Sequence, residues 1–143
     1  MNKETEKKFG QKKTVFEKII AGEIPCHKIY EDDDTFAFLD INPDSRGHAL
    51  VMPKIPYENI HGLPTEMAKK LIISVQKVAN AVKKVTGASG IKIVMNNGAL
   101  AGQEIFHAHI HIIPKFQIQD GGGKFSYKDG EAASLAAKIL DEL

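Results

Sequence analysis

Residues 105–116 read IFHAHIHIIPKF, a short apolar run that holds three of the chain's six histidines: His107, His109 and His111. Strict alternation predicts a β-strand, in which side chains two residues apart share one face and lie about 6.6 Å apart. The opposite face of that strand is apolar and consists of Ala108, Ile110 and Ile112. A buried imidazole needs a hydrogen-bond partner, so the row of histidines predicts a site and not a second core face.

Three hypotheses can explain the row. A metal site is one, because His-x-His is a common ligand pair, although a further ligand such as Glu104 or His48 would have to approach through space. A nucleophile is another, because a neutral imidazole with a pKa of about 6.5 can attack phosphorus or an acyl carbon. Three solvent-facing histidines without a role form the last alternative, and such a row is rare.

The loop before this run, residues 96–104, contains Gly98 and Gly102. Glycines allow backbone amides to approach an anion closely, although a hairpin loop also requires glycine for its own turn. Together with the histidine row, the loop favours a phosphate-binding site.

Composition restricts the classes of partner. The chain has 143 residues, of which 43% are apolar and 26% charged, with a net charge of +1, which is typical of one soluble domain. So small a net charge does not support nucleic acid or an anionic membrane as the main partner.

Cys26 is the only cysteine, which excludes an internal disulfide and fits a reducing compartment. No apolar run reaches the roughly 18 residues of a membrane helix, so we expect a cytoplasmic protein.

The opening MNKETEKKFGQKK has no hydrophobic segment behind its lysines, so we expect neither a secretory signal nor a transit peptide. Residues 1–13 are predicted to be a disordered polar tail and residues 14–143 a single domain. A short helix should begin after Thr14 as N-cap and end at Gly22, with Val15, Ile19 and Ile20 on its inner side.

The remaining patterns predict the order β-β-β-α-β-β. Short β-rich runs occupy residues 27–32, 35–41 and 47–53, and two later strands occupy 91–95 and 105–113. One long helix is predicted from apolar residues spaced by three and four: Met67, Leu71, Val75, Val78, Val82 and Val85. A mobile stretch, 119–130, leads to a C-terminal helix whose predicted inner side is Leu135, Ile139 and Leu140. These elements predict an α+β domain: a five-stranded antiparallel sheet with one long helix and short helices on one face.

Two segments carry a family resemblance. His107-Ala-His109-Ile-His111-Ile-Ile matches the signature His-x-His-x-His-x-x, and FLDINPDSRGHALVMPK at 38–54 resembles the strand pair upstream of it. The chain therefore resembles the histidine triad superfamily of nucleotide hydrolases and transferases, over roughly residues 14–116. Residues 117–143 would be a variable C-terminal extension.

The resemblance implies a homodimer without a cofactor, and it implies a role for four histidines. His109 corresponds to the nucleophile that becomes transiently nucleotidylated, and His111 to the histidine beside the phosphate and leaving group. His107 and His48 correspond to histidines that orient the nucleophile.

The resemblance also implies a nucleotide-binding set. Asp40 would accept hydrogen bonds from the ribose, Phe38 and Ile41 would form the base slot, and Asn96 would hold the phosphate. The adjoining loop residues complete the set: Gly102, Gln103 and Glu104. Each weaker residue has an alternative, since Asp40 can cap a turn, Phe38 and Ile41 can be core, and Asn96 suits a turn.

Asp40 and Asn96 resemble the phosphoramidase branch of the superfamily, which favours cleavage of the P–N bond in a purine nucleoside phosphoramidate of the AMP or GMP type. The alternatives are a dinucleoside polyphosphate hydrolase, a purine-nucleotide-binding regulatory protein and a metalloprotein. Glu104 stands where many members have serine or threonine next to the leaving group, so the resemblance does not define the leaving-group preference. Thr14 and Glu17 stand where some bacterial members have a zinc-binding C-x-x-C, so no metal is expected.

Overall fold

A five-stranded antiparallel sheet in the order β1-β2-β3-β5-β4 forms the centre of the domain. Its strands are β1 Lys28–Glu31, β2 Thr35–Leu39, β3 Ala49–Pro53, β4 Gly90–Val94 and β5 Ile110–Lys115. The helices are α1 Val15–Ile20, α2 Thr65–Thr86 and α3 Glu131–Asp141. The computed structural model describes residues 13–117 and 125–143, so the tail predicted for 1–13 lies outside it except for Lys13, as does 119–124 of the stretch predicted to be mobile. The predicted α+β class and sheet are confirmed.

One face of the sheet is covered by α2 and α3. Side chains at alternate positions of the strands and at intervals of three and four on α2 form one core cluster, whose fully buried members include Leu39, Val51, Val78, Val82 and Ile112. Burial of each such aliphatic side chain stabilises the fold by about 1.5–3 kcal/mol. The long helix ends at Gly87, which adopts the left-handed conformation with φ 74°, as its position in the sequence predicts.

The other face of the sheet carries the histidines and α1. Phe36 and Phe38 of β2 point to this face, where they pack with Phe16 and Ile19 of α1. The helices thus divide between the two faces, because the long helices fill one apolar face of the sheet and the second apolar face needs its own cover. The short helix α1 therefore lies next to the histidine row.

Two details of the predicted helix faces are wrong. Val15 is 39% exposed and Leu140 is 42% exposed, although both were expected to face the core. In α1 the buried residues are Phe16 and Ile19, which are one turn apart and carry more apolar area than Val15. Thr14 caps the helix as predicted, within a capping box shared with Glu17.

The predicted strand 105–113 begins later than expected, at Ile110. Residues 105–109 approach the sheet without joining the ladder: Ala108 N–H donates to Tyr57 O at 2.6 Å, and the carbonyl of Pro53 accepts from the His107 ring. The alternation survives nonetheless, because Ile110 and Ile112 belong to the core cluster under α2, whereas His109 packs against Phe16 of α1 on the other face. No helix within the described residues is long and apolar enough to cross a membrane.

Candidate active site

Four histidines meet on the face of the sheet that α1 covers. The ring centroids of His109 and His111 lie 5.1 Å apart, and those of His48 and His111 lie 5.2 Å apart. Three of the four residues are nearly inaccessible, with exposures of 0% for His107, 3% for His48 and 8% for His109. Each of the four rings has a hydrogen-bond partner, which is the condition under which imidazoles can be buried.

His109 is oriented by the backbone of its own segment. Its Nδ1–H donates to the carbonyl of His107 at 2.7 Å, so the neutral ring carries its lone pair on Nε2. Nε2 forms no hydrogen bond within the described residues. Within that part of the chain the lone pair of His109 is therefore available to a ligand.

His107 acts on His109 through the main chain. Its Nε2–H donates to Pro53 O at 2.7 Å, across 54 residues of sequence, and so ties residues 107–109 to the end of β3. That bond fixes the His107 carbonyl, which accepts the hydrogen bond from His109 Nδ1–H. The ring of His107 contacts β3 and not the ring of His109, so the predicted orienting role would act through the His107 carbonyl.

His48 and His111 form a second pair, in which hydrogen bonds determine which ring nitrogen of each histidine carries the proton. We call this arrangement the proton order of the pair. Asp44 N–H donates to His48 Nδ1 at 2.9 Å, so the proton of neutral His48 resides on Nε2. His48 Nε2 lies 3.0 Å from His111 Nδ1 and donates to it, which leaves the His111 proton on Nε2. His48 was expected to orient the nucleophile; in the structure its ring is hydrogen-bonded to His111 and not to His109.

Asp40 joins this pair from the end of β2. One carboxylate oxygen accepts from Asn42 N–H at 2.9 Å, which is the turn-capping role considered from sequence. The other oxygen lies 3.4 Å from His48 Nε2, so the carboxylate also faces the histidines. The turn cap is thus observed, and the binding of a ribose by Asp40 stays a prediction.

Gln103 shapes the loop between β4 and β5. It is 4% exposed, accepts from Gly98 N–H at 2.8 Å, and donates to Glu58 O at 2.7 Å and Ile105 O at 3.1 Å. The expected nucleotide contact of Gln103 therefore gives way to a role in holding the loop. Gly98 and Gly102 both have positive φ, 96° and 95°, which favours glycine on either side of the 3-10 turn Ala99–Ala101 within the loop.

Asn96 and Glu104 flank this loop in different ways. The Asn96 amide lies over Gly102, where an added Cβ would come 3.7 Å from Asn96 Cγ, and it forms no side-chain hydrogen bond within the described part of the chain. Its contact with a phosphate stays a prediction. Glu104 is exposed to solvent, so its carboxylate need not face a bound phosphate.

Of the two residues expected to form the base slot, one is exposed to solvent and one is buried. Ile41 is 78% exposed, whereas Phe38 is 2% exposed and packs edge-on against Phe16, with ring centroids 5.6 Å apart. Phe38 therefore supports the wall of the site and does not present a free ring face. Phe16 itself, which the sequence interpretation omitted, lies 4.9 Å from the His109 ring. Its one sequence signal is its place next to the capping box.

Comparison with known proteins bears on this site. The HIT domain family matches residues 21–118, which include all four clustered histidines. The chain belongs to the HIT family. This HIT protein is 39% identical over 135 residues to "Protein hit" of Bacillus subtilis, covering 90% of this chain and 93% of that one. It is 43% identical over 109 residues to "Adenosine 5'-monophosphoramidase hnt1" of Schizosaccharomyces pombe, covering 76% of this chain and 79% of that one.

Solved structures agree. A HIT-like protein from Bartonella henselae superimposes with a TM-score of 0.83 at 38% identity, covering 93% of this chain and 98% of that one. The resemblance inferred from the histidine signature is thereby confirmed, as is the fold.

The HIT protein does not provide the thiolates of a zinc site in α1. Thr14 accepts from Glu17 N–H and Glu17 accepts from Thr14 N–H, each at 3.2 Å, so both side chains are engaged in capping the helix. Hydroxyl and carboxylate groups held in a capping box do not fit a structural zinc site.

A second metal possibility arises from the histidine pair. Single ligand atoms of Asp40, His48 and His111 lie within 4.8 Å of one another. Coordination through His48 Nε2 would require its proton to leave or to move to Nδ1, where Asp44 N–H already donates. The hydrogen-bond order therefore disfavours a metal at this position. Asp40 was not considered as a ligand from sequence.

Electrostatics keep the four clustered rings neutral. Burial lowers the pKa of His107 and His109 below that of free histidine. Their backbone hydrogen bonds and nearby carboxylates raise the pKa again, but only in part. Burial likewise lowers the pKa of His48 and His111, against the opposing effect of Asp40. A neutral His109 at pH 7 retains the lone pair that nucleophilic attack requires.

Proposed function

We propose that this HIT protein is a nucleotide hydrolase that cleaves the P–N bond of purine nucleoside 5′-phosphoramidates through a nucleotidyl-His109 intermediate. The observation that carries the proposal is the His109 ring, whose Nδ1–H is held by the His107 carbonyl while Nε2 has no partner among the described residues. The name of the S. pombe relative supports an adenosine 5′-monophosphoramidate as substrate.

The first step forms a bond between His109 Nε2 and the α-phosphorus. The P–N bond breaks, and its electron pair leaves with the nitrogen, while His109 becomes positively charged and keeps its Nδ1–H on the His107 carbonyl. Water then attacks the phosphorus, the P–Nε2 bond breaks and its electron pair returns to His109, which becomes neutral. The proton that water loses goes to solvent, and the nucleoside monophosphate is released. Pre-oriented nucleophiles of this kind lower the barrier because no ordering is needed at the moment of reaction.

His111 assists the departing group as a hydrogen-bond donor. Its proton lies on Nε2 because Nδ1 accepts from His48, and this Nε2–H has no acceptor among the described residues. Both rings of the pair are neutral in this order and hold no spare proton, so the nitrogen takes its proton from the substrate or from water. Donation by Nε2–H stabilises charge on a phosphate oxygen or on the leaving group.

The nucleotide itself is held by residues around the histidines. Asp40 can accept from ribose hydroxyls with the carboxylate that faces His48. Ile41 offers exposed apolar surface to the purine, and the free amide of Asn96 can donate to the phosphate. These assignments are part of the proposal.

A homodimer is also part of the proposal. Strand β4 lies at the edge of the sheet, where its backbone groups are available to a second chain. Ile93 on this strand is 46% exposed, and Ile72 and Ile73 on α2 are 56% and 51% exposed, and together they line one surface depression. Exposed isoleucines beside an open edge support association of two copies.

The test uses a fluorogenic adenosine phosphoramidate and intact-mass spectrometry during turnover. We expect hydrolysis, an added nucleotide mass on His109, and loss of both in His109→Gly. His61→Gly, at an exposed histidine outside the four-ring cluster, serves as control and should retain activity. Elemental analysis of the same samples should show no stoichiometric metal.

Other results would point to the alternatives. Tight purine-nucleotide binding with negligible turnover indicates a regulatory binding protein. If a stoichiometric metal is bound and chelation removes both the metal and the activity, the protein is a metalloenzyme. Turnover of dinucleoside polyphosphates far above that of phosphoramidates indicates the other hydrolase branch.

A further inference from the structure

Tyr127 connects the C-terminal segment to the loop that carries His48. It lies beyond residue 118, where the match to the HIT domain ends, and its hydroxyl accepts from Gly47 N–H at 2.8 Å. The ring packs against the main core and meets Phe125 edge to face, with centroids 4.9 Å apart. These contacts hold the Tyr127 hydroxyl beside the N–H of Gly47.

Gly47 is the residue immediately before His48, in a turn closed by several hydrogen bonds. Ser45 O accepts from His48 N–H at 3.1 Å, and His48 O accepts from Asp40 N–H at 2.9 Å. Within this turn Asp44 N–H donates to His48 Nδ1. A displacement of Gly47 therefore moves the donor that sets the His48 proton order.

The contact is not interchangeable with solvent. Gly47 is buried, and Tyr127 is the acceptor of its N–H among the described residues. A buried N–H without an acceptor is unfavourable, so the turn would rearrange to reach water if the hydroxyl were removed. The ring alone would still fill its place in the core.

We propose that Tyr127 is a positioning residue for the His48–His111 pair, which it serves by holding Gly47 and, through the turn, the Asp44 N–H that fixes the proton order. The proposal rests on the proposed function for its effect on catalysis. Loss of the hydroxyl lets His111 adopt the other tautomer, with a lone pair and not a proton facing the leaving group.

The kinetic test compares Tyr127→Phe with Tyr30→Phe. Tyr30 is a matched control, because it is also half-buried against the main core and its hydroxyl donates to Asp32 at 2.9 Å, outside the histidine cluster. Two substrates are used: an alkylamine phosphoramidate of AMP, whose nitrogen needs a donor, and the p-nitrophenyl ester of AMP, whose phenolate leaves unaided. For Tyr127→Phe we expect kcat to fall about tenfold on the amide and less than about threefold on the ester, with KM unchanged.

A spectroscopic measurement gives the same answer without turnover. In ¹⁵N NMR spectra of the imidazoles, wild type and Tyr30→Phe should show His48 protonated on Nε2 and His111 on Nε2, whereas Tyr127→Phe should show a mixture of tautomers. Equal losses on both substrates, or an unchanged spectrum in Tyr127→Phe, would overturn the role of Tyr127. If the wild type cleaves neither substrate, the proposed function fails, and the spectra still decide whether Tyr127 sets the proton order.

Discussion

The ring of Phe16 meets the ring of His109 edge to face, with centroids 4.9 Å apart and planes at 84°. Phe16 is 4% exposed and belongs to α1, on the face of the sheet opposite the long helix. The first helix described in the chain thus forms the wall behind the candidate nucleophile. Its contact restricts rotation of the imidazole, which the single hydrogen bond to the His107 carbonyl does not do alone.

Replacing Phe16 with leucine should therefore lower kcat as well as stability. The change keeps the apolar character of the site, so we expect a loss of about 1–1.5 kcal/mol in the free energy of unfolding, measured with urea. The ring of His109 gains freedom, and we expect kcat to fall about tenfold with little change in KM.

Phe36→Leu is the control for that prediction. Phe36 is 5% exposed in the same cluster, but its ring contact is with Phe38 and not with a histidine. A similar loss of stability with normal kcat is expected. Equal losses of kcat in the two variants would show that the wall acts through general stability.

Stability should decline as the pH falls below about 6.5. Burial lowers the pKa of His48, His107, His109 and His111, so the unfolded chain binds protons at a higher pH than the folded one. Their stabilising contribution is complete above the unfolded pKa of about 6.5 and is lost as the pH falls through the lower folded values. Each histidine can add at most about 1.4 kcal/mol per pH unit.

Urea unfolding at pH 7.5, 6.5, 5.5 and 5.0 measures this slope. We expect a flat region near pH 7.5 and a decline below pH 6.5. His107→Asn, which retains a donor for the Pro53 carbonyl, should show a shallower decline, whatever its absolute stability. A free energy of unfolding independent of pH across this window is incompatible with buried neutral rings.

Gly47 should tolerate substitution less well than other glycines with positive φ. A Cβ there would come 2.7 Å from Thr86 Cγ2, whereas Gly22, with φ 81°, has open space around it. Gly22→Ala should cost about 1–2 kcal/mol through backbone strain alone. Gly47→Ala adds overpacking, and we expect a total loss of about 3 kcal/mol or more.

Thr86→Ser tests whether that clash is the cause. Serine removes Cγ2 but keeps the hydroxyl that donates to Val82 O at 2.7 Å. In a Gly47→Ala background it should restore part of the lost stability, measured by thermal unfolding. No recovery would place the cost in the backbone and not in the contact with Thr86.

Much of the architecture was predictable because its signals are local. Alternation in β5 and the three-and-four spacing in α2 depend on neighbours in sequence, and the observed elements follow them. The phase of α1 was not predictable, since Val15, Phe16, Ile19 and Ile20 distribute apolar surface around a six-residue helix. Only packing against Phe38 selects the buried side.

The finer site geometry depends on contacts between distant residues. His48 and His111 are 63 positions apart, and Gly47 and Tyr127 are 80 apart, so no local pattern specifies either bond. The family resemblance placed His48 near the triad and assigned it to the nucleophile His109, whereas its ring is hydrogen-bonded to His111. Gln103 shows the opposite error: a residue inside a motif was assigned to the ligand, although its amide is used by the loop.

Association into a dimer should depend on the isoleucines beside β4. Ile73 and Ile93 are 51% and 46% exposed on the surface next to the free sheet edge, and charges there would remain unpaired in an interface. We expect light scattering to give twice the monomer mass for the wild type and the monomer mass for Ile73→Lys/Ile93→Lys. Leu100→Lys, at a fully exposed leucine in the β4–β5 loop, should remain dimeric, because the same kind of charge falls outside the proposed interface. A dimer that persists in the double variant would move the interface to another surface.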